Sequence, residues 1–249
     1  MSESLTPTVE ATTAATSIYQ GQHSLLTIVI SKPGRGKSTA IRTLPPSRTH
    51  LINVMGKELP FQGASQYILG QNMTITAEGP IIREKLRALS TSGSCDYIVV
   101  DDLHYVMATE FMSKVMVKGY DKFSIMARNI WDLLVLANQL RPGLKVFFLT
   151  HEEETTTERK MKTLGKLLDE KISCEGLSTI VLWGEVEVRE RTSVPRFYFS
   201  TQTDGFTNAK APFDMFPPEI PNDLFLVSQR IDEYYAGVSM QQSKVLPRS

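Results

Sequence analysis

Residues 27–39, TIVISKPGRGKST, carry the spacing of a loop that grips phosphate through its backbone amides, G-x-x-x-x-G-K-[ST], with Ser31 where the first glycine belongs. Such a loop turns successive N–H groups inward. It therefore needs glycine wherever φ is positive or a Cβ would block the approach, and Gly34 and Gly36 supply that freedom. Ser31, Lys32, Pro33, Gly34, Arg35, Gly36, Lys37, Ser38 and Thr39 are the expected cradle. In it Lys37 reaches the β- and γ-phosphates and the Ser38 hydroxyl ligates Mg²⁺. A serine is compatible with the strand exit at position 31 if φ stays negative there.

A phosphate loop needs a carboxylate at the end of a neighbouring strand to hold the water shell of the metal. YIVVDD (97–102) provides it: Asp101 is the expected metal acid, and Asp102 could orient an attacking water. Alternation along a strand turns Asp102 away from the face of Asp101 unless the strand has already ended, which favours Glu58, in NVMGKELPF, as the water-positioning residue. Thr150 and His151 close another apolar run, FFLTH, where a polar side chain can sense the γ-phosphate; a histidine there hydrogen-bonds phosphate without needing charge. His104 is expected to pack or to meet solvent.

The elements that must position these residues are short apolar runs separated by helical segments, the pattern of an α/β sheet. LLTIVI (25–30), HLINVM (50–55), DYIVVDD (96–102) and LKVFFLTH (144–151) read as strands. A helix begins near Lys37, adds its positive end to the loop and is stopped after two turns by Pro45-Pro46. Over 121–140, Phe123, Met126, Ala127, Ile130, Trp131 and Leu134 fall on one helical face directed at the core, with Asp121 as cap. STIVLWGEVEVRE and RFYFSTQ read as two strands joined by RTSVP, an antiparallel extension in which Glu185 and Glu187 line a wet face. A turn-rich stretch, 211–223, leads into a short helix capped near Asn222 and burying Leu224, Val227 and Ile231. Residues 1–22 read as a flexible arm, 23–236 as one domain and 237–249 as a tail.

With 27 basic and 27 acidic residues the chain has zero net charge, which excludes attachment to nucleic acid by bulk charge but leaves room for a local basic strip. Two cysteines, Cys95 and Cys174, make no disulfide framework, and no Cys/His cluster has zinc spacing. No leader-like or membrane-length apolar run is present, so an intracellular, membrane-free setting is expected.

The degenerate phosphate loop, YIVVDD, the strand ending in Thr-His, and the blocks KMKTLGKLLDEKI and STQTDGFTNAKAPFDMFPPEIPNDL together resemble bacteriophage RecA/RadA-like P-loop ATPases of recombination and single-strand-annealing modules, over about residues 24–236. The resemblance implies a RecA-like core with a mainly parallel sheet, and ATP and Mg²⁺ as cofactors. It implies hydrolysis in the cytoplasm of a bacterial host, single-stranded DNA as ligand, and assembly into filaments or rings. A single-strand-binding or annealing protein would be the partner. It maps Lys37, Ser38 and Asp101 onto the nucleotide and metal positions, and Lys210 onto a lysine inserted into a neighbour's active site. Set beside full-length RecA, no large C-terminal domain is expected within these 249 residues, which favours annealing or loading over strand exchange.

Single-stranded DNA binding needs cations interleaved with flat side chains. FMSKVMVKGYDKF (111–123) offers Lys114, Lys118 and Lys122 with Phe111, Tyr120 and Phe123, and ERKMKTLGK (158–166) offers Arg159, Lys160, Lys162 and Lys166. The resulting expectation is an ATPase whose nucleotide state controls a DNA-binding surface. The alternatives are a non-hydrolysing, ATP-bound loader or adaptor, and a nucleotide kinase. The kinase reading lacks an arginine-rich lid, because Arg159 is the only arginine between Arg141 and Arg189.

Overall fold

A computed structural model describes residues 23–116, 118–119, 121–188 and 194–246. The arm expected over 1–22, Tyr120, most of the RTSVP connection and the last three residues lie outside the described residues. The strands are β1 (Leu25–Ser31), β2 (Thr49–Asn53), β3 (Met73–Ile75), β4 (Tyr97–Asp101), β5 (Lys145–Glu154), β6 (Arg159–Met161), β7 (Ile180–Glu187), β8 (Arg196–Ser200) and β9 (Glu219–Pro221). The helices are α1 (Gly79–Ser92), α2 (His104–Ser113), α3 (Asp121–Ala137), α4 (Lys166–Lys171) and α5 (Leu224–Tyr235).

The described strands form one sheet in the order β3-β2-β4-β5-β1-β7-β8-β9, with β6 paired to the outer end of β5. Every pairing from β3 through β7 is parallel, and β8 and β9 add antiparallel strands. The α/β class expected from the sequence, a mainly parallel central sheet with antiparallel C-terminal strands, is what the structure shows. β5 lies between β1 and β4, so the chain leaving β1 and the acids ending β4 flank one central strand.

Parallel strands buried on both faces read as unbroken apolar runs, and β1 is one: all but its first residue are buried. One face of the sheet packs against α1, α2 and α3 through Ile28, Ile30, Val100, Val146 and Phe148. The other, through Val29, Val99, Phe147 and Leu149, packs against Ala40, Ile41 and α5. Of the face expected on α3, Met126, Ala127, Ile130 and Leu134 are buried, joined by Leu133. Phe123 is half-buried against the core, and Trp131 is 37% exposed at the margin of that face. The helix expected after Lys37 is six residues of tight 3-10 turn, Ser38–Thr43, rather than two α-helical turns; Pro45 and Pro46 follow at once, as expected. The cap of α5 is Asp223, one residue beyond the expected Asn222, and its carboxylate accepts from Leu226 N at 2.8 Å. Nor is the Glu185 face wet: both glutamates on β7 are half-buried and ion-paired, Glu185 with Arg35 and Arg159 and Glu187 with Arg196.

Arg230, on the inner face of α5, is fully buried. Its guanidinium donates to the carbonyls of Met215 (2.6 Å), Asp214 (3.2 Å) and Val238 (2.9 Å), and meets Glu233 at 3.3 Å. One planar fork thereby ties the turn-rich 211–223 segment and the chain after α5 to the helix. Arg230→Met leaves those carbonyls without a donor, and is expected to lower the free energy of unfolding in urea by about 3–5 kcal/mol. Arg230→Lys should restore little of it, since one ammonium cannot span three carbonyls.

Candidate phosphate-loop site

β1 delivers the chain to Ser31, which is fully buried, and the loop then turns through Gly34 and Gly36 at φ +81° and +78°. The register Ile30–Trp183 sets Ser31 beside Gly184 of β7. A Cβ placed at Gly184 would lie 2.9 Å from Ser31 Cβ and 3.3 Å from its Oγ, with Arg35 O at 3.5 Å. The side-chain-free position has moved from the first residue of the loop to the strand beside it. A glycine inside a strand pattern signals such a close approach, and Gly184 carried that signal in the sequence.

Each cation of the loop holds a carboxylate on a different stretch of chain. Lys32 pairs with Glu154 at the end of β5, Arg35 with Glu185 of β7, and buried Lys37 lies with Nζ 3.6 Å from Asp102 Oδ1. Glu185 also accepts from Arg159 (2.6 Å). Arg159 in turn meets Glu152 (2.7 Å), whose carboxylate takes the indole N–H of Trp183 at 2.9 Å and stands 3.8 Å from Lys32. The result is an open run of alternating charges, Glu154–Lys32–Glu152–Arg159–Glu185–Arg35, joining the loop to β5, β6 and β7.

Ser38 Oγ donates to Asp101 Oδ1 at 2.9 Å, so the two residues expected at the metal are in direct contact. Burial, with the charge of Asp102 beside it, raises the Asp101 carboxyl to about 6, opposed by the Ser38 hydrogen bond and by Lys37. Asp102 does not turn away as strand alternation suggested. β4 ends at Asp101, and Asp102 adopts φ +68°, which brings its carboxylate back to the loop side. There it sits 3.6 Å from Lys37, 2.7 Å from Lys57 Nζ and 3.2 Å from His151 Nε2. Burial alone would raise its pKa, but hydrogen bonds from His151 and Lys57 and the charge of Lys37 hold it far below the usual carboxylate range.

Glu58 is exposed, and its side chain makes no hydrogen bond or ion pair among the described residues. Its neighbour Lys57 reaches the site instead, over the ring of Tyr105 at 4.8 Å; the Asn53 side chain holds Lys57 O at 2.7 Å and fixes that turn. Lys57 was not legible as a site residue, because nothing in its spacing sets it apart from any loop lysine. Thr150 is fully buried and shares the face of Val146 and Phe148, away from the loop; its Oγ1 has no partner among the described residues. His104 packs, as expected, with its ring against Tyr105 and His151. Lys210 bonds Val181 on β7 through both backbone groups, 2.8 and 2.9 Å, and its side chain is half-buried.

Of the cations expected at DNA, Arg159 is committed to Glu152 and Glu185, and Lys114 to Glu110 at 2.6 Å. Lys122 lies over the rings of Phe111 and Phe123, and Lys160 stands 4.0 Å from Glu158. Lys118 and Lys162 are exposed. Among the described residues no group of three or more His, Cys, Asp or Glu could hold a metal by itself. A divalent ion at Ser38 and Asp101 would therefore be completed by phosphate oxygens and water, as suits Mg²⁺. No described helix is long and apolar enough to cross a membrane.

No protein-family model matches the chain, and no curated protein matches it. Among solved structures it is similar to a KaiC-like protein from the hyperthermophilic archaeon Pyrococcus horikoshii OT3, at 8% identity and a TM-score of 0.41, over 70% of this chain and 76% of that one. A likeness of that degree carries nothing about the site, whose geometry stands on the residues above.

Gly184→Ala should cost about 1–3 kcal/mol in chemical denaturation, by overpacking against Ser31. In a Ser31→Gly background the same substitution should cost far less, since both close atoms are gone; equal costs in the two backgrounds would refute the steric exchange. The raised Asp101 carboxyl sets a second expectation. Its folded form holds a proton that the unfolded chain releases near 3.8, so this group withdraws stability as pH climbs from about 4 to about 6. Asp101→Asn should accordingly raise the melting temperature at pH 7.5 in EDTA, with the gain fading toward pH 4.

Proposed function

We propose that the chain is a Mg²⁺-dependent ATPase whose nucleotide state governs a single-stranded-DNA-binding surface. The observation that carries the reading is the Ser38–Asp101 hydrogen bond, with Lys37 and Asp102 paired beside it. It joins the hydroxyl and carboxylate that a phosphate-bound magnesium requires, Ser38 on the turn that follows β1 and Asp101 at the end of β4, with β5 between the two strands. In this reading Ser31 to Thr39 wrap the phosphates, Lys37 meets the β- and γ-phosphates, and Ser38 and Asp101 hold the metal, Asp101 through water. Bound Mg²⁺ neutralises the charge that builds on the transferring phosphoryl group. Asp102, kept as a carboxylate by the hydrogen bond from Lys57 and the charge of Lys37, orients the attacking water in place of Glu58, with His151 Nε2 3.2 Å from it.

Lys162 supports the link to DNA. Its side chain is exposed, while its N–H donates to His151 O at 2.9 Å and its carbonyl lies 3.4 Å from His104 Nδ1. A cation available to a phosphodiester thus sits on a backbone gripped by the residue that touches Asp102. Self-assembly and a single-strand-binding or annealing partner belong to the same reading.

Phosphate release with and without single-stranded DNA tests it. Turnover is expected to rise with DNA and to vanish in Lys37→Ala. Asp102→Asn should slow it about 10²-fold or more while Glu58→Gln stays near wild type. The reverse ranking would return the water-positioning role to Glu58. Tight ATP binding without turnover would instead make the chain an adaptor or loader, and turnover only with a nucleoside monophosphate would make it a kinase.

A further inference from the structure

The outer side of the phosphate loop is closed by Phe197, Asn222 and Arg42, none of which the sequence placed at the site. Phe197 projects from β8 on the face of buried Phe199, and remains 37% exposed. Its ring lies so near Gly36 that a Cβ there would come within 2.9 Å of Phe197 Cδ1. Beside it Asn222, buried, donates from Nδ2 to Gly36 O at 3.2 Å and accepts from Arg42 Nη1 at 3.0 Å. Arg42 also donates to Thr39 O at 2.8 Å. In a 3-10 turn residues three apart eclipse, so Arg42 stands directly over Thr39, the last residue of the cradle.

A buried amide and a guanidinium, both bonded to the loop backbone, therefore fix the edge of a shelf, and a half-exposed flat ring forms part of its surface. We propose that Phe197 is the surface on which the base of a nucleoside triphosphate stacks, with the remaining N–H groups of Arg42 and Asn222 available to acceptors on the base or ribose. The inference rests on the phosphate-loop reading and extends it to the other end of the same ligand. Phosphate inside Lys37–Thr39 leaves its nucleoside to emerge where Thr39, Arg42 and Phe197 meet. Flat apolar rings there exclude water from one face of a base without demanding a particular hydrogen-bond pattern.

Calorimetric titration of the full chain with Mg·ATP and with Mg·tripolyphosphate, which has the phosphates and no base, separates the two readings. Phe197→Ala should weaken ATP about 10-fold or more and leave tripolyphosphate within about twofold, while Phe197→Tyr keeps both. Equal weakening of both ligands would show that Phe197 only supports the loop, and no change in either would show that it is idle; each overturns the proposal. Failure of tripolyphosphate to bind the wild-type chain would instead remove the phosphate-loop reading itself.

Discussion

The contact on which the site depends is steric: Gly184 carries no side chain, and Ser31 occupies the space one would take. Three pieces of backbone meet there, the exit of β1, the middle of β7 and the carbonyl of Arg35 as the loop returns. A glycine at the start of the loop would give this closeness directly. Here the requirement passes to a neighbouring strand, and the loop can leave β1 in extended conformation without losing its curvature. The departure at position 31 is thus a relocation of one small residue, and the remaining glycines keep the positive φ angles that the turn demands.

Around that contact the charges alternate in an open run that starts at Glu154 and ends at Arg35. Lys32, Arg35 and Arg159 alternate with Glu154, Glu185 and Glu152, and the Glu152 side chain is fully buried with the Trp183 indole donating to it. Removing Arg159 would leave the buried Glu152 carboxylate and half-buried Glu185 short of a partner in a poorly solvated place, whereas Lys32 and Glu154 at the other end face solvent. The network couples the loop to the β5–β6 hairpin in a mechanical sense, because Arg35 cannot leave Glu185 without altering what Arg159 sees. Arg159 is thereby a structural link, which explains why a residue that read as a nucleic-acid cation is held inward.

Local patterns made much of the fold legible. Unbroken apolar runs marked the four central strands, and alternating glutamates marked β7, the strand on which the antiparallel extension is built. Trp131 falls at the margin of the buried face of α3 and the cap of α5 falls one residue beyond Asn222, details that depend on tertiary neighbours rather than on periodicity. In the site, Ser38 and Asp101 were legible because spacing along single segments determines both. Asp102 was a candidate beside Glu58, but its direction was not legible, since it depends on one backbone angle where β4 stops. Lys57, Glu152, Glu185 and Phe197 were illegible as site residues for a related reason: each has a partner that only the tertiary fold supplies, Asp102 for Lys57, Lys32 and Trp183 for Glu152, Arg35 for Glu185 and Gly36 for Phe197.

The pairing of every loop cation has a further consequence. Lys32, Arg35 and Lys37 carry tethered counterions, Glu154, Glu185 and Asp102, in place of mobile ones from solution. A polyanion entering the loop swaps partners with these fixed groups and liberates few dissolved ions. Its affinity should therefore depend on ionic strength less steeply than three bare cations would dictate. Such an exchanger discriminates by valence, because an anion with one charge cannot replace three carboxylates at once.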